Sequence, residues 1–573
     1  MPQNSQRTNH SSKVNNKKNK KRNTKEKYSN NCNNQKKNNM DKYTDTDDMG
    51  KSTANDISWY AFDPALLRDS SNIPYSWPVG ITVDLTNDVF TRVPANTQDR
   101  HVPGIFTLDV MPGPGISTNA ASPINIAAKN IYSFVRHANS GHSNYDSQDL
   151  MIYLLAMDEA IMWFYNCARA YGLINLYNNQ NRYFPKHAVE AAGFDYTDLS
   201  SQMADFRYTL NAYLVRLASL CIPMGMPYFD RHAWLYSGIY MDGTSAKAQA
   251  YMYKPAGYRA YTETEPGGGK LVFKRFPAQE ASPVRKTTLA DIKAICDDII
   301  SPIIGSEDLN IMSGDILKAY GHENIRKFIT IPENYVVGPV YNEEVLSQFQ
   351  NASINFIMGY KSDGNWDITQ DPNINEGTVL YNPNIQSLLP SDNVRNAYLR
   401  TGKQIINLNV DTPTISDTMI ASRLINILVP DEANEYYKLD SCGSEIIVGG
   451  DIWVANDMNM LINERVGRQL PQFWSSSDKT PVGHMTTLLN LLHLVSQWTR
   501  FKFAPQIDFS LTINYPNVGD DPSNAVSGYY PLIFKELDNY SVIDKDTLRN
   551  MHETALLSLF HVPQLAKASA YKS

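Results

Sequence analysis

The sequence predicts a mainly α-helical body with a mixed α/β insertion, carried behind a disordered basic N-terminal arm. Three observations predict it. Long apolar segments with helical spacing lie towards both ends of the body, at residues 146–222 and 485–559. Between them, short β-like runs alternate with Asn/Pro/Gly loops. Residues 1–42 repeat Asn, Lys, Ser and Gln and offer almost nothing apolar to offset the entropy of ordering. At 573 residues the chain has about four times the usual length of one domain, and 42% hydrophobic with 11% aromatic residues excludes wholesale disorder.

The elements follow in chain order. KKNKKR at Lys17 to Arg22 sits in the arm, and the acidic TDTDD at Thr44 to Asp48 separates the arm from the aromatic pair Trp59 and Tyr60. The folded body therefore starts near residue 55. Proline and glycine crowd residues 63–123, as in MPGPG at Met111 to Gly115, which implies extended chain with few helices. Asp146 then caps a long apolar helix ending near Gly172. The apolar stretch Leu150 to Tyr177 is long enough to cross a bilayer, but Asp158 and Glu159 near its centre would cost about 2.5 kcal/mol or more each. It reads as a buried helix of a soluble protein, whose two carboxylates need a tertiary partner such as an arginine.

A second helix is expected from Thr197 to Cys221, stopped by Pro223, with Met203, Phe206, Leu210, Tyr213, Leu217 and Leu220 as its apolar stripe. From Tyr258, YRAYTETE, PGGGK at Pro266 to Lys270 and LVFKRF read as a β-hairpin. Helices resume at Leu289 to Ile300 behind Thr288, and at Gly314 to Tyr320 behind Ser313 with Gly321 as the stop. Farther on come a helix around Thr418 to Leu428, a β-run at Ser444 to Val448, an apolar helix from Met485 to Phe501 and a last amphipathic one from Asp546 to Leu559. No repeat of solenoid type is present.

Charge separates along the chain. Residues 1–42 hold 12 Lys/Arg against 2 Asp/Glu, a net of +10, so with −7 overall the other 531 residues carry −17. Cations on a flexible chain can follow phosphates of any sequence by releasing counterions, so Arg7, Lys13, Lys17, Lys18, Lys20, Lys21, Arg22, Lys25, Lys27, Lys36 and Lys37 are the candidate RNA-binding residues. A solvated tail or a nuclear-import signal is the plainer reading of the same run. Tyr28 is the one aromatic residue of residues 1–42, which favours charge neutralisation over base stacking.

Cys32, Cys167, Cys221, Cys296 and Cys442 are too scattered for a zinc site or a disulfide framework and fit a reducing compartment, and the first thirty residues hold no signal-peptide core. Gly519-Asp520-Asp521 is the sharpest enzymatic signal, since paired aspartates hold the metals of RNA-dependent RNA polymerases, and Asp451 with Asp457 could form a second pair. Its context, YPNVGDDPSN, reads instead as a surface turn. PGGGK lacks the spacing of a phosphate loop, and His137, His142, Asp146 and Asp149 read as loop and cap residues rather than metal ligands. No hydrolase or protease signature is present, and no motif calls for a cofactor.

From Trp59 onward the body resembles the capsid proteins of picobirnaviruses, small viruses with a segmented double-stranded RNA genome. The resemblance is carried by SPINIAAKNIYSFVRHANSGHSNYDSQDLMIYLLAMD at Ser122 to Asp158, RHAW and GIYMDG within Arg231 to Gly243, and IMSGD at Ile311 to Asp315. WDITQDPNINEG at Trp366 to Gly377 and MHETALLSLFHVPQ at Met551 to Gln564 extend it. It implies a largely helical coat protein with a shell domain and a projecting domain, assembling as intertwined symmetric dimers into an icosahedral particle around RNA. On that reading residues 1–54 are the arm, 55–250 and 481–573 the two parts of the shell domain, and 251–480 the projecting, mixed insertion. The implied partners are further copies of the chain, viral double-stranded RNA and an enclosed viral polymerase, with no stable membrane insertion. The implied locations are the virion and, before assembly, the host-cell cytoplasm. Such proteins can also lose an N-terminal peptide by self-cleavage, but nothing in residues 1–60 marks a site.

Overall fold

The computed structural model describes residues 57–60, 62–75, 78–84, 99–139, 141, 145–177, 181–264, 268–353, 357–360, 366–371, 377–387, 403–430, 436–455, 461–466, 496–515 and 526–562. The arm expected over 1–54 lies outside them. The chain divides into two compact units, Met1–Ser76 and Trp77–Ser573. In the first, α1 (Pro64–Ser71) starts at a proline, with the Asp63 side chain accepting from the Ala65 amide at 2.9 Å. None of its residues is buried.

The second unit is built around one helix. After α2 (Pro123–Ala138), α3 (Ser147–Ile174) begins at a capping box in which Asp146 and Asp149 satisfy each other's backbone amides. Because α3 is apolar on all sides, it can be stable only when surrounded, and from Leu150 to Phe164 every residue is buried. It runs two residues past the expected end at Gly172. Around it pack α4 (Met203–Leu217), α5 (Pro227–Ser237), α6 (Leu289–Gly305), α7 (Glu307–Tyr320) and α2. The hairpin Tyr258–Thr264 with Gly268–Lys274 forms in the expected place.

A five-stranded sheet runs in the order Leu461–Val466, Glu445–Ala455, Ile105–Pro112, Ala250–Pro255, Tyr240–Met241. The strand Ile105–Pro112 is parallel to Ala250–Pro255, antiparallel to Glu445–Ala455 and buried at every residue. Alternation divides its side chains between two cores. Ile105 and Met111 join the cluster around α3, whereas Phe106, Leu108 and Val110 face Tyr251, Tyr253, Phe349, Trp498 and Phe501.

Four expectations need correction. The helix over Thr197 to Cys221 is broken: Tyr196–Ser201 is capped by Asp195, Gln202 leaves helical geometry (φ −128°, ψ 37°), and α4 ends at Leu217. Its stripe survives the break, with Phe206, Leu210, Tyr213, Leu217 and Leu220 buried. Ser313 is not a cap: Ser306 begins α7, and the Ser313 hydroxyl accepts from the Cys221 amide at 2.8 Å instead. The helix expected over Thr418 to Leu428 spans only Ile415–Ala421, since the β-branched run after it pairs as Ile427–Pro430 with Tyr436–Ser441. Finally, residues 63–123 hold not only loops but the central buried strand. Of the helix expected from Met485 to Phe501, only 496–501 are described, helical over 496–498. The last helix, α8 (Lys545–Leu559), is capped by Asp544.

Candidate functional site: the basic arm and a buried charge junction

All eleven candidate RNA-binding residues, from Arg7 to Lys37, lie outside the described residues, as do Asp457, Asp520 and Asp521. The other carboxylate of the polymerase reading, Asp451, is 1% exposed and accepts from Lys254 at 3.0 Å. The same ammonium lies 3.2 Å from Asp109 and 5.2 Å from the Trp453 ring, so Asp451 is committed to a buried ion pair. Asp146 and Asp149 are consumed by the α3 cap, and no group of metal-ligating side chains occurs among the described residues.

The chemistry within the described body gathers at the two acids in the middle of α3. They point to different partners. Glu159 meets Arg259 of the hairpin, its Oε1 accepting from Nη1 at 2.7 Å. Arg259, 1% exposed, also donates to Trp366 O at 3.0 Å, Pro112 O at 2.7 Å and the Tyr381 hydroxyl at 2.9 Å. A planar five-donor fork suits this task, tying α3, the hairpin, the central strand and the 366–381 segment together at one point. Burial still raises the Glu159 carboxyl, with Arg259 acting against it.

Asp158 meets His232 of α5, with Oδ2 and Nδ1 2.5 Å apart. The other ring nitrogen faces Glu445 Oε1 at 3.7 Å, and Glu445 accepts from Arg231 Nε at 2.6 Å. Arg231 continues to Gln348 at 3.1 Å and lies 4.9 Å from the Trp234 ring. Burial alone would lower the His232 pKa, but the Asp158 carboxylate outweighs it and the ring keeps its proton above the usual value. Burial also pushes Glu445 upward, and Arg231 with His232 reverses that, so its carboxyl sits below the usual range. The need of Asp158 and Glu159 for partners is legible in the sequence, and so is an arginine as one of them. His232 and Glu445 are not, although a Glu opening the apolar run EIIV and an Arg in YRAYTE are charges set among apolar and aromatic residues.

Each charge of this junction is met by one of opposite sign, and the arrangement joins segments that lie far apart in the chain. The family model described as picobirnavirus capsid protein matches residues 59–437. The chain is 29% identical over 535 residues to the capsid protein precursor of human picobirnavirus, covering 90% of this chain and 92% of that protein. It matches the X-ray structure of a picobirnavirus capsid with a TM-score of 0.70 at 24% identity, covering 90% of this chain and 100% of the other, a likeness of fold. No described helix is long and apolar enough to cross a membrane. The chain belongs to the picobirnavirus capsid protein family, structural components of the virion.

Proposed function

We propose that the chain assembles as symmetric dimers into an icosahedral shell and packages double-stranded RNA through its basic arm. The observation that carries this reading is the charge split: +10 in residues 1–42 against −17 in the remaining 531. A body of that sign repels phosphate on average, so attraction to RNA falls to the arm. The shell domain comprises residues 55–250 and 481–573, and 251–480 carries the projecting part. In support, strands near both ends of that insertion, Ala250–Pro255 and Glu445–Ala455, flank Ile105–Pro112 in one sheet. A viral polymerase is enclosed with the genome, and the protein occupies the host-cell cytoplasm before assembly. The human picobirnavirus relative is named a precursor, which supports removal of an N-terminal peptide here too.

Deleting residues 1–42 removes charge but little apolar surface, so subunit contacts survive. Truncated protein is expected to form shells with much less RNA, read as a lower ratio of nucleic-acid to protein absorbance in purified particles. For the arm peptide, neutralising about 10 phosphates gives a log–log salt slope of roughly −7 to −9 on titration with double-stranded RNA. Equal RNA content in both particles, or binding indifferent to salt, refutes the arm's role.

A further inference from the structure

The junction at Asp158 has an unusual charge balance. Within contact distance lie two carboxylates, Asp158 and Glu445, and one guanidinium, Arg231. The group is neutral only with one proton in the Asp158–His232 pair: burial raises the Asp158 carboxyl, with His232 acting against it, and His232 stands between the two carboxylates and is 0% exposed. Every other charged or titratable group facing it is accounted for. Glu159 and Arg259 neutralise each other, and the Tyr228 ring packs 4.4 Å from the imidazole as an uncharged phenol. Arg326 acts on Asp158 from farther out while bridged to Asp230; Arg423, which donates to Met419 O and Ser422 Oγ, keeps its charge and acts on Glu445 from beyond ion-pair distance. Tyr236, Tyr240 and Tyr253 beside them are uncharged phenols, Cys442 is an uncharged thiol, and His552 is held neutral by burial, its pKa lowered to about 4.

We propose that the His232 proton is a latch: protonated, it fastens α5 to α3 and to the strand Glu445–Ala455, and its loss as pH rises loosens the body. The three elements are far apart in sequence, Asp158 and His232 being 74 positions apart, so the latch closes long-range contacts rather than stabilising one helix. Burying an unbalanced charge is costly, and deprotonation leaves one negative charge on side chains buried away from bulk solvent. The sign follows from linkage. A histidine whose folded pKa lies above its unfolded value near 6.5 contributes fully below that pH, and the contribution is lost as pH rises through the folded pKa. On the shell reading proposed above, a particle made of such bodies is firm below the folded pKa of His232 and weakens as pH rises through it.

The test is urea unfolding of the full chain from pH 6 to 9, wild type against Asp158→Asn/His232→Gln, which removes the titrating proton while keeping Glu445 and Arg231 balanced. Between about pH 6.5 and the folded pKa, the wild-type folding constant should fall about tenfold more per pH unit than the variant's, a difference of one proton. Lys286 and Lys535, held down to about 8 by burial, titrate in both proteins and cancel in the difference. If the double variant does not fold, Asp158→Asn alone serves, since it removes one of the two carboxylates holding the proton and moves the fall to lower pH. Identical pH profiles for wild type and either variant overturn the latch. So does a wild-type difference of the opposite sign.

Discussion

Arg259→Met is the sharpest probe of how the body is held together. The substitution preserves the buried aliphatic stem and deletes a guanidinium that serves Glu159, Trp366 O, Pro112 O and the Tyr381 hydroxyl. Breaking a buried ion pair by removing one partner costs about 3–5 kcal/mol, because the other charge stays behind. Here Glu159 is 6% exposed, and three further acceptors lose their donor, each worth about 1 kcal/mol or more. The expected loss is therefore at least about 5 kcal/mol, the lower bound of a whole domain's stability. Urea titration should show a midpoint far below wild type at pH 7, or insoluble protein. Arg259→Met/Glu159→Gln separates charge from packing. With both charges gone, the double variant should be more stable than the sum of the single losses by at least about 2 kcal/mol. A single variant within about 1 kcal/mol of wild type, or strict additivity, refutes the view that this pair pins the four segments.

Two further outcomes follow from packing. Leu210 on α4 is fully buried in the main core, so Leu210→Asp inserts an unpaired charge costing several kcal/mol, and the protein should be insoluble or unassembled by sedimentation. Gly172 lies inside α3, where a Cβ would stand 2.6 Å from Val337 Cγ2 and 2.8 Å from the Val337 amide nitrogen. That backbone cannot yield cheaply, so Gly172→Ala should lower stability by about 1–3 kcal/mol, read as a fall in Tm, although alanine is the better helix former.

Local rules made several elements readable. The Asp146 and Thr288 caps, the paired strands of the hairpin and the Gly321 stop, at φ 78°, depend on nearby residues, and all appear where the sequence puts them. Family membership was legible from blocks spread between Ser122 and Gln564, because long runs retain identity wherever they fold. Helix breaks were not legible. The backbone departure at Gln202 interrupts a stripe whose periodicity runs on regardless, and Ser313 carries a cap residue's chemistry but accepts from the distant Cys221 amide.

By itself, then, the sequence determined which segments must be surrounded, that a charged arm precedes an acidic body, and that Asp158 and Glu159 could not stand alone. Burial need is a property of a segment, and charge is a property of composition. Only the tertiary structure decided the partners: that Arg259 answers Glu159 across 100 residues, and that His232, with Glu445 behind it, answers Asp158. It also decided that Ile105–Pro112, in a stretch that reads as loops, is the strand on which both cores meet. Pairing across such separations is set by how whole elements pack, and no local pattern in either partner records it.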